Sequence, residues 1–91
     1  MFDSRQMEYI IAIDDCHSLS KAADKLYLSQ SALSQQLVKL KESGLPPLFQ
    51  YKNGQMNTTI AGKLYLNGAR TIMNLKDEFM RSISDDAFTE K

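Results

Sequence analysis

The stretch Ser18-Leu19-Ser20-Lys21-Ala22-Ala23-Asp24-Lys25-Leu26-Tyr27-Leu28-Ser29-Gln30-Ser31-Ala32-Leu33-Ser34-Gln35-Gln36-Leu37-Val38-Lys39-Leu40 decides the fold. It reads as two short helices joined by a tight turn. Ser20 is placed to cap the first of them and Ser29 the second, because a hydroxyl can accept from the unpaired N–H groups of a first helical turn. Ala22 and Ala23 let two helices cross closely. Leu26, Leu33, Leu37 and Leu40 recur at helical spacing and form the buried stripe that locks the crossing. Short polar residues (Ser29, Gln30, Ser31, Ser34) gather at the start of the second helix, pointing away from that stripe.

Outward from this core, Asp3 followed by Gln6 matches a capping box. It opens a helix whose core positions are Met7, Ile10 and Ile13 and which fades at Asp15-Cys16-His17. On the other side, Gly44 falls where a left-handed helix cap is needed and Pro46-Pro47 forbids continuation. Leu48-Phe49-Gln50-Tyr51 and Met56-Asn57-Thr58 then read as two short strands around Lys52-Asn53-Gly54-Gln55. Asn-Gly at the centre is a strong hairpin signal, since both turn residues need positive φ. Thr59 caps a long final helix with one apolar stripe, Leu64, Ile72, Leu75, Phe79 and Ile83, with small Ala61 and Gly68 between. That helix is too long for the small body before it to cover, so part of the stripe needs another partner.

The predicted architecture is therefore all-α dominated: a three-helix core and a short, wing-sized β-hairpin, followed by a long final helix. The boundaries are 1–58 for the winged body, 59–85 for the helix and 86–91 for a flexible tail.

Composition narrows the function. The chain has 91 residues, 43% hydrophobic and 24% charged, which fits one globular domain. Its longest apolar run, Tyr9 to Ile13, is far short of the roughly 20 residues that a membrane span requires. The start Met1-Phe2-Asp3-Ser4-Arg5 lacks the basic-then-apolar pattern of a secretion signal, and a cytoplasmic location is expected. With one cysteine, Cys16, and one histidine, His17, neither a disulfide, a metal set nor a cofactor is expected. The adjacent acids Asp14-Asp15 and Asp85-Asp86 read as solvated groups rather than a catalytic pair, and an enzyme is not expected.

Net charge is zero, but it is unevenly spread. Residues 16–70 carry Lys21, Lys25, Lys39, Lys41, Lys52, Lys63 and Arg70 against Asp24 and Glu42, a balance of +5, while both ends are acidic. Attraction to phosphate follows the local field rather than the total. The N-terminus of a helix, with its unpaired N–H groups and positive dipole end, is suited to phosphate. Gln can pair with adenine through two bonds and Ser with several bases. Residues 29–39 thus have the chemistry of a helix that reads a DNA groove.

At this point the sequence resembles the LysR-type regulator family. The family's pattern runs Ser, a gap, Ala-Ala, Leu, then Ser-Gln-Pro-Ala-Leu-Ser and an aliphatic three residues on; Ser18 through Leu37 follow it closely. Pro47-Leu48-Phe49, Thr59, Ala61 and Gly62 match its Leu-Phe and Leu-Thr-x-Ala-Gly segments, and Arg5-Gln6-Met7 with Ile10 fit its first helix. The resemblance covers residues 4–85. It implies a winged helix-turn-helix followed by a linker helix, and a homodimer paired through that long helix, bound to double-stranded DNA at an interrupted inverted repeat, with the second helix of the motif in the major groove. Carried over by position, it implies DNA contacts from Ser20, Lys21, Ser29, Gln30, Ser31, Ala32, Ser34, Gln35, Lys39, Lys52, Asn53 and Gly54, and dimer contacts from Leu64, Gly68, Ile72, Leu75, Phe79 and Ile83.

The departures have consequences. Ser31 stands where the family usually has Pro, Gln35 where Arg is common, and Tyr51 where a wing Arg is usual. Gly54, Gln55 and Asn57 take positions often basic, Gly44-Leu45 reverses a Leu-Gly order, and Lys52 is the wing's one charge. These changes predict weak electrostatic anchoring. The effector-binding domain that family members carry after the long helix is not expected within these 91 residues. A protein-interaction module that pairs through the long helix with another regulator is the competing expectation.

Overall fold

A computed structural model of the chain describes residues 3–89, with burial assigned for residues 3–85. Helix α1 spans Ser4–Cys16, α2 Leu19–Leu26 and α3 Gln30–Glu42; strands β1 (Phe49–Lys52) and β2 (Gln55–Thr58) form an antiparallel hairpin, and α4 runs Ile60–Thr89. Winged helix-turn-helix architecture follows from this order.

Each helix begins on a side-chain oxygen. Asp3 accepts from the Arg5 N–H at 2.9 Å and Ser29 from the Ala32 N–H at 3.1 Å. The second cap differs from the expectation: Ser18, not Ser20, accepts from the Lys21 N–H at 3.2 Å, and Ser20 lies inside the first turn of α2. The reason is the position of Leu19, which packs on the core and therefore already belongs to the helix.

The helix ends are set by left-handed residues. Gly44 has φ +101; its N–H donates to the Lys41 carbonyl and the Leu45 N–H to the Leu40 carbonyl, a paired closure that satisfies two orphan acceptors. The same closure ends α2, but with Tyr27 at φ 59, where a side chain is less comfortable than glycine. His17, at φ 53, ends α1; its carbonyl accepts from the Met56 N–H at 3.0 Å and so ties β2 to the α1–α2 corner.

Helix α1 is the spine of the core. Met7, Ile10 and Ile13 are buried as expected, joined by Ala12; against them pack Ala22, Ala23, Leu33, Leu40, Leu48, Met56 and Leu66. Leu26 and Leu37 are half-buried against this cluster. Phe49 pairs with Thr58 and Lys52 with Gln55, leaving Asn53 and Gly54, both at positive φ, as a two-residue turn.

The start of α4 is clamped to the segment before the wing. Thr59 donates its N–H to the Leu48 carbonyl at 3.1 Å and its hydroxyl to the Pro47 carbonyl, while its Oγ1 accepts from the Gly62 N–H at 3.0 Å. Gly62 is required by the same approach, since a β-carbon there would overlap the Leu48 carbonyl oxygen. The helix then continues to Thr89, through most of the segment expected as a tail from 86 onward, because Asp85-Asp86-Ala87-Phe88 contains no breaker. Residues 90–91 of that tail lie outside the described residues. At 1.5 Å per residue α4 is about 45 Å long, and it gives the molecule its 55 Å long axis.

Gly62→Ala is expected to lower stability by about 1–3 kcal/mol, the range for overpacking a close contact. Urea unfolding followed by circular dichroism measures it; a midpoint equal to the wild type would show that the clamp does not need glycine.

Candidate nucleic-acid interface

The rotation of α3 sets what the domain presents. Leu33 is fully buried and Leu40 nearly so, which turns Ser31, Gln35, Val38 and Lys39 outward, with Ala32 and Ser34 half-buried at the margins of that face. Gln30 is exposed at the leading end. Ser29 caps the Ala32 N–H, so the N–H groups of Gln30 and Ser31 lie ahead of the helix's own ladder. The Ser29 and Ser31 hydroxyls sit 3.4 Å apart. This leading edge therefore combines hydroxyls, an amide and open N–H groups, which suit phosphate oxygens and base edges alike.

Val38 went unnoticed in the sequence and is 52% exposed on the same face. The signal was available: it lies four residues after Ser34 and seven after Ser31, so helical periodicity places it beside them. An exposed branched methyl pair suits the C5-methyl of thymine.

Ser20 and Lys21 are exposed in the first turn of α2, and the Ser18 and Ser20 hydroxyls are 3.2 Å apart. At the wing tip Lys52, Asn53 and Gly54 are exposed. Asn57 braces the tip, its Nδ2 donating to the Lys52 carbonyl at 3.3 Å and the Gln55 carbonyl at 3.4 Å. It holds the turn's shape in place of adding charge. Tyr51, 72% exposed, replaces a cation with a neutral phenol.

Two expectations about charge need correction. Arg70, counted in the basic middle, is not open to phosphate: its Nη2 reaches Asp14 Oδ2 and Asp15 Oδ1, each at 2.8 Å. The hydrogen bonds it donates to Asp15 and to Asp14 raise the Arg70 pKa further. Asp14 and Asp15 are accordingly not merely solvated acids but the anchor that ties the end of α1 to α4. Each of these part-exposed pairs is worth about 1 kcal/mol or less. Burial, helped by the negative charge of Asp3, raises the Tyr65 phenol as well, so it stays neutral at physiological pH.

The stripe on α4 is left uncovered. Leu64, Ile72, Leu75, Phe79 and Ile83 are all exposed. Gly68 is exposed beside them, with open space where a β-carbon would stand. Next to the stripe runs an apolar groove of about 430 Å³, walled by Met7, Leu45, Pro46, Leu48, Leu64 and Tyr65. Among the described residues no three His, Cys, Asp or Glu side chains gather as a metal set, and no helix is long and apolar enough to cross a membrane.

Residues 4–63 match the model of the bacterial regulatory helix-turn-helix proteins of the lysR family. The chain belongs to the LysR family. It is 34% identical over 84 residues to an uncharacterized HTH-type transcriptional regulator, YcgK, of Bacillus subtilis, covering 91% of this chain and 26% of that protein. It is 35% identical over 69 residues to the HTH-type transcriptional regulator MetR of Haemophilus influenzae, covering 76% of this chain and 22% of that one. The chain thus spans about a quarter of the length of these relatives.

Among solved structures, the BenM DNA-binding domain in complex with catB site 1 DNA superposes with a TM-score of 0.87 at 27% identity, covering 94% of this chain and 97% of that one. The CbnR DNA-binding domain in complex with DNA gives a TM-score of 0.83 at 26% identity, covering 94% and 99%. Within this LysR-family fold, Ser29 through Lys39 occupy the second helix of the helix-turn-helix.

The exposed cations left to this face, Lys21, Lys39 and Lys52 among them, are few. The log–log salt dependence of affinity for duplex DNA is therefore expected to be shallower than six phosphates per protomer would give, each phosphate contributing a slope of about −0.9. Fluorescence anisotropy between low and high salt measures it; a slope as steep as six or more phosphates per protomer would contradict the weak-anchoring account.

Proposed function

We propose that this domain is the DNA-reading part of a LysR-type transcriptional regulator and works as a homodimer on an interrupted inverted repeat. One observation carries the reading: α3 turns Gln30, Ser31, Gln35, Val38 and Lys39 to solvent while Leu33 and Leu40 hold it to the body. Relatives of the same fold solved with DNA support it.

In this reading α3 enters the major groove leading end first. Gln30, Ser34 and Gln35 bond to base edges, Ala32 and Val38 meet thymine methyls, and Ser29 and Ser31 with the open N–H groups take a phosphate. Ser20, Lys21 and Lys39 fix the register on the backbone, and Lys52, Asn53 and Gly54 touch it from the wing. Leu64, Gly68, Ile72, Leu75, Phe79 and Ile83 pair two copies. The work is binding rather than catalysis, and its place is the cytoplasm.

Selection of bound duplexes from a random pool, followed by mobility shift at two salt concentrations, tests the proposal. Gln30→Ala with Ser34→Ala is expected to cost about 1–3 kcal/mol of discrimination at the bases each one reads. Lys21→Ala is expected to weaken binding to all sequences alike. Failure to bind any duplex, together with tight pairing to another regulator, would favour the competing reading of a module that acts through α4 alone.

A further inference from the structure

The stripe on α4 is spaced symmetrically. From Leu64 to Gly68, Ile72, Leu75, Phe79 and Ile83 the steps are 4, 4, 3, 4 and 4, the same read from either end. A two-fold axis crossing the helix midway between Ile72 and Leu75 therefore sets every member of the stripe opposite another member on an antiparallel copy. Leu64 meets Ile83, Gly68 meets Phe79, and Ile72 meets Leu75.

The residue sizes suit that arrangement. Phe79 is the bulkiest side chain of the stripe and is 64% exposed. Gly68, its mate, is the one position without a side chain, and nothing lies within 4 Å of where a β-carbon would stand. Glycine within a helix is unfavourable relative to alanine; among the described residues no contact requires it here. The apolar groove borders Gly68, with Leu45, Pro46 and Tyr65 along it, and gives an incoming ring its walls.

Charge favours the same direction. Residues 60–73 carry Lys63 and no acid, their second cation, Arg70, being held by Asp14 and Asp15. Residues 74–85 carry Lys76 and Arg81 against Asp77, Glu78 and Asp85, a balance of −1. Antiparallel pairing lays Lys63 of each helix along the acidic half of the other.

We propose that Phe79 of one copy fills the hollow over Gly68 of a second copy, twice per dimer, and that this reciprocal fit fixes the direction and register of self-pairing. The inference rests on the homodimer reading and adds the contact that selects the partner. Because 68 and 79 exchange places across the axis, two damaging substitutions become complementary in a mixture. Gly68→Phe sets ring against ring, and Phe79→Gly sets hollow against hollow. A heterodimer of the two variants regains ring against hollow at both contacts.

Sedimentation equilibrium of the 91-residue chain measures self-association, with circular dichroism confirming unchanged helix content. Each single variant is expected to lose at least tenfold in self-association, and the equimolar mixture to recover wild-type dimerisation. In a Cys16→Ala background, a mixture of Leu64→Cys and Ile83→Cys chains is expected to form a disulfide between copies. Leu64→Cys alone is not, since the two copies of that position would lie roughly 28 Å apart along the helices. A wild-type dimer that tolerates Gly68→Phe, or that crosslinks through Leu64→Cys alone, overturns this register while leaving the homodimer intact. A chain that stays monomeric overturns both.

Discussion

The burial of Leu33 against α1 is the constraint on which the presented surface depends. A helix of thirteen residues can be rotated about its axis, and each rotation would offer a different set of side chains to a groove. Leu33, fully excluded from solvent, and Leu40, two turns further along the same face, remove that freedom. Ala22 and Ala23 let α2 come close enough to hold the arrangement. The polar leading edge of α3 is thus outward as a consequence of apolar packing. Replacing a surface glutamine leaves the fold intact; loosening Leu33 would blur every contact the helix makes.

A second constraint decides where the wing and the long helix go. Thr59 bonds the carbonyls of both Pro47 and Leu48 while capping α4, and Gly62 lets the helix backbone rest on the Leu48 carbonyl oxygen. On the far side, the bond from Met56 to the His17 carbonyl holds the hairpin to the α1–α2 corner. Arg70 then ties α4 to the end of α1 through Asp14 and Asp15. With these ties α4 leaves the body in one direction, as a rigid arm and not a tether.

Much of this was legible in the sequence, and the misses share a cause. Asn53-Gly54, Gly44 and Ser29 act on their immediate neighbours, so local chemistry sufficed to place a turn, a helix end and a cap. Ser18 and Ser20 both offer a hydroxyl near the start of α2, and only the packing of Leu19 chooses between them. Arg70 looks like a free cation until the fold brings residues 55 and 56 positions earlier beside it. Tyr27 shows no sign of a left-handed residue, because its conformation is imposed by the sharp turn between two packed helices. Val38 was hidden by its type: an aliphatic residue in a helix is first assigned to the core, and only its phase relative to Ser31 and Ser34 places it outside. The DNA-contact set was likewise reached through resemblance as much as through chemistry, since serines and glutamines alone read as an ordinary solvated face.

The rigid arm links the two halves of the proposed function. If α4 joined the body through a flexible hinge, the pairing of two copies would only raise their local concentration on DNA. Because Thr59, Gly62 and Arg70 hold the helix to the body, the two-fold axis proposed through the stripe would also set the separation and relative rotation of the two α3 helices. A slip of the pairing by one helical turn would move the two bodies by about 5.4 Å relative to one another along the axis. That mismatch exceeds the 3.4 Å rise of a base pair, so the two recognition helices would no longer sit in phase with their half-sites. A register fixed by the bulk of Phe79 against the absence of a side chain at Gly68 is therefore a means of measuring DNA, and the weakly charged wing makes that measurement matter more. With few phosphate contacts to add sequence-independent affinity, discrimination rests on two correctly spaced helices binding together.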